Sequence, residues 1–252
     1  MHCSGNPTVM DANSDNNLSA FVFGYTGGVG RCIVNALAVE PRFKKVTLFG
    51  RRTVDLEEKD KKSTAASADF TKFTQDVVDF DKLTEDSEYF AEKLKGFDVG
   101  IYALGVNPLK TDEETFQRTT RGWLLAIAKL ARDGGCRHFH RMSGALVNEN
   151  SWWKFGRFGG ETDALLGKIS YPRISIYKPA TILTEFNSGG MVGPRGVSVM
   201  RLLDRFRWWS VEGETVGQFL VQNCFTKPKD ANNSVEVFTN AEINRWGKLQ
   251  KK

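Results

Sequence analysis

The stretch FVFGYTGGVGRCIVNAL, residues 21–37, constrains the fold more than any other part of the chain. It opens with a short apolar run that is typical of a buried strand, and its later apolar residues keep the spacing of a helix. Between these segments, glycines recur at every third position: Gly24, Gly27 and Gly30. A strand that turns directly into a helix needs backbone angles that glycine allows. The pattern predicts a phosphate-binding turn, and its alternative is a plain glycine-rich turn.

A phosphate-binding turn works through its backbone. A pyrophosphate reaches the amides only where side chains are absent, and the helix that follows supplies free N–H groups and a partial positive charge. The candidate contacts are therefore Gly24, Gly27 and Gly30, with Tyr25 beside the first of them.

A second strand, residues 45–52, ends in Arg51 and Arg52. These arginines lie about twenty residues beyond Gly30, where NAD-binding folds usually carry an acid for the ribose 2′-hydroxyl. Guanidinium groups bind a phosphate through paired, charge-assisted hydrogen bonds. We therefore predict that the cofactor is NADP(H), and the alternative for Arg51 and Arg52 is a solvated basic loop.

The remaining pattern alternates strands with helices. A third strand, residues 75–80, carries Asp79, whose carboxylate would contact an adenine edge or cap the next helix. Further strands are predicted at 97–105, 136–143, 173–179 and 235–238, with helices at 81–95, 113–133, 160–166 and 241–247. Short linkers between such elements predict an α/β fold, a Rossmann-type doubly wound parallel sheet. A small C-terminal helical or irregular extension should follow it.

We expect one NAD(P)-binding domain over residues 18–250, preceded by a polar, disordered tail at 1–17. Residues 184–250 should face a substrate or partner, and apolar spacing predicts helix within 199–206. Residues 53–74 are charged, small and polar, which predicts a segment on the protein surface.

Composition excludes several classes of protein. No stretch approaches the roughly 20 apolar residues of a membrane span, and the N-terminus lacks the features of a secretory signal. The four cysteines have no paired spacing, so neither a metal site nor a disulfide framework is predicted, and a reduced setting is expected. We expect a cytoplasmic location, with the nucleus or nuclear envelope as the alternative. The net charge of +5 is too mild to favour nucleic acid as a partner.

Taken together, the glycine turn, VTLFGRR, VVDF, DVGIYALG, GGCRHFHRMS and YKPATIL resemble the short-chain dehydrogenase/reductase superfamily. The resemblance covers residues 21–248 and is most marked with the small atypical branch of Tat-interactive oxidoreductases. It implies an NADP-binding Rossmann fold. Carried over, its cofactor contacts fall on Thr26, Gly27, Gly28, Val29, Arg51, Arg52, Leu104, Gly105 and Ile182.

The catalytic pattern of that superfamily does not carry over. It uses a serine, a tyrosine and a lysine four residues after the tyrosine, and the tyrosine exchanges the proton as hydride moves. Ser143 matches the serine, but Phe155 and Gly159 stand at the other two positions, and no YxxxK occurs in the chain. No catalytic residue is therefore predicted. Two weaker substitutes are Lys154, as a contact to the ribose, and Tyr102, in place of the tyrosine.

The histidines offer little support for catalysis. His138 and His140 lie on the fifth strand, and we expect one to face the core and the other a helix. Neither has a partner in the sequence that would make it a base.

Two functions compete at this point. The first is an NADP(H)-binding regulatory protein without reductase chemistry, in line with the family's association with nuclear import and transcription, which implies a protein partner. The second is an active NADPH-dependent oxidoreductase that acts on a small carbonyl or quinone substrate with an unrecognised proton donor.

Overall fold

The computed structural model of the chain describes residues 17–56, 67–83, 86–184, 203–204 and 207–250. Its centre is a sheet of seven parallel strands in the order β3-β2-β1-β4-β5-β6-β9. These strands are β1 Leu18–Phe23, β2 Phe43–Gly50, β3 Phe73–Val77, β4 Val99–Tyr102, β5 His138–Met142, β6 Arg173–Lys178 and β9 Val235–Thr239. The Rossmann-type fold predicted from the sequence is confirmed.

Helices cover both faces of this sheet. One face packs against α1 Gly28–Val39, α6 Gly213–Asn223 and α7 Asn240–Leu249. The other packs against α2 Ser87–Lys93, α4 Trp123–Asp133 and α5 Lys154–Gly167. A short helix α3, Glu113–Gln117, precedes α4. Two apolar cores result, one on each side of the sheet.

The central strand β1 shows why its sequence is a continuous apolar run. Its side chains alternate between the faces, so Ala20 and Val22 enter one core while Phe21 and Phe23 enter the other. Both sets are fully buried. Residues 20–23 of β1 are buried on both faces and carry no polar side chain, as expected for a strand of a parallel sheet.

The structure revises several predicted elements. The helix predicted at 113–133 is interrupted by a π-helical turn, Arg118–Gly122, between α3 and α4. The helix predicted at 160–166 begins earlier, at Lys154. A 3₁₀ turn, Phe80–Leu83, separates β3 from α2, so the predicted helix 81–95 is shorter. Two unpredicted strands, β7 Thr181–Leu183 and β8 Ser210–Glu212, form a separate parallel pair.

The C-terminal part of the chain contributes to the main sheet as well as packing on it. The strand β9 pairs with β6 and closes one edge of the sheet, and α6 packs against α1. The predicted tail at 1–17, except its last residue, lies outside the described residues, and so does most of the predicted helix at 199–206. Within the part of the chain that the structure describes, no helix has the length and apolar character needed to cross a membrane.

Candidate functional site

The glycine turn lies where the carboxyl end of β1 meets that of β4. Gly24 has a φ of +89°, and a Cβ there would lie 2.6 Å from the carbonyl carbon of Ala103. A Cβ on Gly30 would lie 2.0 Å from the carbonyl oxygen of Gly24. Both glycines are therefore required by the close approach of backbone to backbone.

Gly27 is different, since it is the N-cap of α1 with φ −77° and ψ 166°, angles open to any residue. A Cβ there meets only the Gly24 carbonyl oxygen, at 3.3 Å. The space beside Gly27 is thus left open rather than filled by the protein, and the first amides of α1 begin here.

Arg51 and Arg52 follow β2, and the second of them is held in place by Tyr25. The Tyr25 hydroxyl donates to the Arg52 carbonyl oxygen at 2.6 Å. Burial raises the pKa of Tyr25 despite the opposing charge of Arg52, so the hydroxyl stays protonated. Gln75 fixes the next residues, because its amide both accepts from and donates to the backbone of Val54, at 2.8 Å each.

One cavity of about 430 Å³ brings most of these groups together. Of the predicted cofactor contacts, Gly24, Tyr25, Thr26, Arg51, Arg52 and Leu104 line it. Phe49, Gly50 and Phe80 also line it and were missed from the sequence. Gly50 could have been predicted as a cavity residue, because it is a glycine at the end of a strand, directly before the two arginines. A Cβ on it would lie 2.6 Å from the Tyr25 ring.

Other predicted contacts lie elsewhere. Gly28 and Val29 form the first turn of α1, and Val29 packs against the core. The Asp79 carboxylate accepts from the Asp81 backbone N–H at 3.0 Å and does not line the cavity, which fits the capping alternative. Ile182 lies in β7, packed against the core and outside this cavity.

A second cavity, of about 200 Å³, adjoins the first through Leu104 and also contains Gly105. Ser143, Phe155 and Gly159 line it, so the structure brings the three catalytic-pattern positions to one place. The Phe155 ring packs edge-on against Phe116, with centroids 4.9 Å apart. It keeps the aromatic volume but supplies no proton.

The position of the missing lysine is closed by a loop. A Cβ on Gly159 would lie 2.8 Å from Val147 Cγ1, and one on Gly160 would lie 2.2 Å from the carbonyl carbon of Asn148. The glycines of α5 thus let the loop 144–151 lie directly on the helix.

The two weaker catalytic substitutes do not fit the cavity chemically. Tyr102 lines it but is fully buried, its hydroxyl donates to the Thr119 carbonyl oxygen at 2.5 Å, and burial raises its pKa far above the usual value. Lys154 pairs with Glu113 at 2.8 Å on the exposed side of α5. Neither is placed to exchange a proton with a bound substrate.

A charged cluster that the sequence did not reveal surrounds Ser143. Its hydroxyl donates to the Asp163 carboxylate at 3.1 Å. The same carboxylate pairs with Arg141 at 2.5 Å and with Lys178 at 3.1 Å. Asp163 follows Gly159 by one helical turn, so its side chain shares a face of α5 with Phe155 and Gly159, a signal that could have found it.

The expectation for the two histidines is wrong. Residues two apart on a strand point to the same face, and the rings of His138 and His140 lie 3.8 Å apart between centroids, both fully buried. They face the core between the sheet and α6, away from both cavities.

Comparison with known proteins gives relatives of two kinds. Protein HTATIP2 of Rattus norvegicus is 31% identical over 169 residues, which make up 67% of this chain and 64% of the rat protein, so the match spans slightly less than two thirds of that relative. Protein FMP52, mitochondrial, of Candida albicans is 26% identical over 170 residues, 67% of this chain and 69% of the relative. A further relative, from Debaryomyces hansenii, carries the same mitochondrial name at 26% identity. These names contradict the expected cytoplasmic or nuclear location.

Solved structures share the fold at low sequence identity. A short-chain dehydrogenase/reductase from Serratia marcescens superposes with a TM-score of 0.59 at 14% identity, over 90% of this chain and 98% of that one. The Bordetella bronchiseptica enzyme WbmH, solved with NAD+, gives 0.60 at 12% identity, over 88% and 75%. No family model matches the sequence. In sequence this chain is similar to HTATIP2, and its fold is that of the short-chain dehydrogenases/reductases.

Proposed function

We propose that this protein binds NADP(H) between the glycine turn and Arg51–Arg52 and serves as a cofactor-dependent regulatory protein. The observation that carries the proposal is the 430 Å³ cavity, which is lined by Gly24, Tyr25 and Thr26 of the glycine turn and by Arg51 and Arg52. The solved complex of WbmH with NAD+ supports a nicotinamide dinucleotide in this fold.

The residues present fit such a cofactor. The open side of Gly27 leaves room for phosphate next to the first amides of α1, whose helix dipole favours negative charge. Gly24, Thr26, Gly28, Val29 and Gly30 would supply backbone to this part of the cofactor. When bound, the nicotinamide would supply hydride chemistry, and Leu104, Gly105 and Ile182 would lie along its course.

The preference for a 2′-phosphate rests on the arginines. The guanidinium groups of Arg51 and Arg52 are exposed, and the backbone of Arg52 is fixed by Tyr25. An anchored backbone lowers the entropy that a phosphate contact must overcome. The Asp79 carboxylate, by contrast, accepts a hydrogen bond at the 3₁₀ turn, and we do not propose it as a cofactor contact.

Calorimetry with NADPH and NADH tests the preference. In Arg51→Ala with Arg52→Ala, each lost charge-assisted hydrogen bond should cost about 1.5–3 kcal/mol, or tenfold to more than a hundredfold in NADPH affinity. NADH should bind as before. The matched control is Lys44→Ala with Lys45→Ala, which removes the same charge from exposed positions at the other end of β2. Equal losses for NADPH and NADH in the arginine variant would contradict the assignment.

The absence of a proton donor at Phe155 favours a regulatory over a catalytic role. Ser143 directs its hydroxyl toward Asp163, and the loop 144–151 covers the face of α5 at Gly159. The competing function, an NADPH-dependent reductase of small carbonyls or quinones, would need a proton donor other than the residue at position 155, which is phenylalanine. Turnover assays separate the two functions.

A further inference from the structure

A buried polar cluster lies beside β5, and none of its residues lines either of the two cavities. His138 and His140 project from one face of β5, and Cys224, the C-cap of α6, packs against them. We call these three residues the His–Cys cluster. Each offers one donor atom, the three donor atoms lie within 4.8 Å of one another, and all three side chains are buried.

The spacing of the donors suits a single bound ion. The Cys224 sulfur lies 3.5 Å from His140 Nε2. A three-coordinate ion with metal–nitrogen bonds near 2.0 Å and a metal–sulfur bond near 2.3 Å holds its donors about 3.5–3.8 Å apart. Since all three donor atoms lie within 4.8 Å of one another, reaching these distances requires a contraction of at most about 1.3 Å.

Each imidazole is oriented by a hydrogen bond from its other nitrogen. His138 Nε2 lies 2.8 Å from the Ser175 hydroxyl, which donates to Glu236 at 2.5 Å. His140 Nδ1 lies 2.8 Å from the Tyr177 hydroxyl. These contacts leave His138 Nδ1 and His140 Nε2 for a ligand. Outer partners of this kind fix ligand orientation in metal sites.

Ligation would release one proton. The Cys224 thiol donates to the Leu220 carbonyl oxygen at 3.6 Å. On binding, its S–H bond breaks, a metal–sulfur bond forms and the proton leaves to solvent.

We propose that the His–Cys cluster binds one copper(I) ion. One thiolate and two neutral imidazoles balance a single positive charge, whereas a divalent ion would leave a net charge in a buried site, which is costly. Glu236 cannot balance it, because this carboxylate already pairs with Arg173 at 2.8 Å. Thiolate is a soft donor that favours copper(I), and imidazole also suits copper.

The test titrates purified full-length protein with copper(I) under anaerobic conditions, in competition with bicinchoninate. Copper is offered both to the folded chain and during refolding, because the cluster is buried. We expect one copper(I) per chain in at least one of these, with an X-ray absorption spectrum of one sulfur and two nitrogen neighbours. Cys224→Ser should lower the affinity at least a hundredfold. Cys136→Ser is the matched control, since Cys136 is also a buried free cysteine but lies outside the His–Cys cluster.

Three outcomes would overturn the proposal. The first is no copper bound by either route in the unmodified chain, which would leave the cluster as a hydrogen-bonded network between β5, β6 and α6. The second is copper held equally by Cys224→Ser. The third is tighter binding of zinc(II) than of copper(I) by the same residues, which would reject a monovalent ion. The X-ray absorption spectrum of the unmodified chain decides the ligands even if a variant fails to fold.

Discussion

Gly24 and Gly27 lie in the same turn, but the fold requires glycine only at the first of these positions. Gly24 needs its positive φ and its lack of a side chain, because a Cβ would lie 2.6 Å from the backbone of Ala103. Gly27 needs neither for the fold, since its backbone angles suit any residue. A requirement for glycine at position 27 would therefore come from a ligand that binds beside it, and not from the fold.

Gly27→Val should therefore abolish NADPH binding in a protein that stays folded. A valine would fill the space beside the first amides of α1, while its Cβ meets only the Gly24 carbonyl oxygen at 3.3 Å. Calorimetry and circular dichroism measure the two properties together. Gly24→Val is the comparison variant, and its strained backbone should unfold the chain. Unchanged NADPH affinity in Gly27→Val would show that the turn is structural only.

A single carboxylate organises the chain before β8. Asp204 accepts from the backbone N–H groups of Trp208 and Trp209 and from the Ser210 hydroxyl, at 2.9, 3.0 and 2.7 Å. Burial alone would raise the pKa of Asp204, but these hydrogen bonds outweigh it and hold the pKa below its usual 3.8. The ionised carboxylate is the form that the fold prefers.

Asp204→Asn should destabilise the protein by about 1–3 kcal/mol at neutral pH, because a charged acceptor of three hydrogen bonds is lost. A carboxyl whose pKa is lower in the folded state stabilises above its unfolded pKa, near 3.9, and loses that contribution as pH falls through the folded value. The difference in unfolding free energy between the two proteins should therefore shrink below about pH 4. Urea denaturation at pH 7 and pH 3 checks this, and a difference that grows in acid would contradict it.

At the scale of elements, α5 is shaped by its glycines. Gly156 and Gly160 face the loop 144–151, where a Cβ would lie 2.4 Å from the Leu146 carbonyl oxygen and 2.2 Å from the Asn148 carbonyl carbon, respectively. Gly167 at the end of the same helix is freer, since its Cβ would make an ordinary contact of 3.4 Å with Val235. Because the loop 144–151 packs closely on α5, it leaves no space for a lysine side chain at position 159.

Gly160→Ala should destabilise the protein by about 1–3 kcal/mol, because the methyl group forces the loop off the helix. The same substitution at Gly167 should instead be neutral or stabilise by up to about 1 kcal/mol, through helix propensity and reduced freedom of the unfolded chain. Thermal unfolding of both variants gives the comparison. A Gly160→Ala protein as stable as the original would show that loop 144–151 is not held by this contact.

The elements differ in how far sequence could predict them. Strands such as β1 were readable because burial on both faces leaves a continuous apolar run. The strands β7 and β8 have three residues each, too few to carry a period, and their pairing depends on chain segments far apart. The interruption at Arg118–Gly122 was hidden because a π-turn keeps helical composition.

The residues of the candidate sites also differ in how far the sequence could predict them. Arg51 and Arg52 could be predicted, because the spacing from the glycine turn to the second strand end is local. The support from Gln75 could not, since the sequence does not show that Gln75 on β3 contacts Val54, 21 residues earlier in the chain. The His–Cys cluster was missed for that reason too, as Cys224 lies far from β5 in the chain and the alternation of the strand was misjudged at His138 and His140.

For the whole molecule, cofactor binding should appear as stability even without turnover. A ligand at a hundred times its dissociation constant stabilises the folded state by about 2.7 kcal/mol. In a chain of this size that raises the melting temperature by roughly 5–10 °C. NADPH should produce this shift in the unmodified protein and little of it in Arg51→Ala with Arg52→Ala, as followed by scanning calorimetry. No shift at saturating NADPH would count against cofactor binding as a whole.

The unmodified protein should show negligible reduction of aldehydes, ketones or quinones by NADPH, because Phe155 supplies no proton and Gly159 no cation, and general acid catalysis contributes about 10²–10⁴ in rate. Restoring the pair requires space, since a side chain at Gly159 meets Val147 at 2.8 Å. The variant is therefore Phe155→Tyr with Gly159→Lys and Val147→Ala, and Val147→Ala alone is its control. Turnover only in the triple variant would support the loss of catalysis, whereas turnover of the unmodified protein at about 1 per second or more would establish it as a reductase.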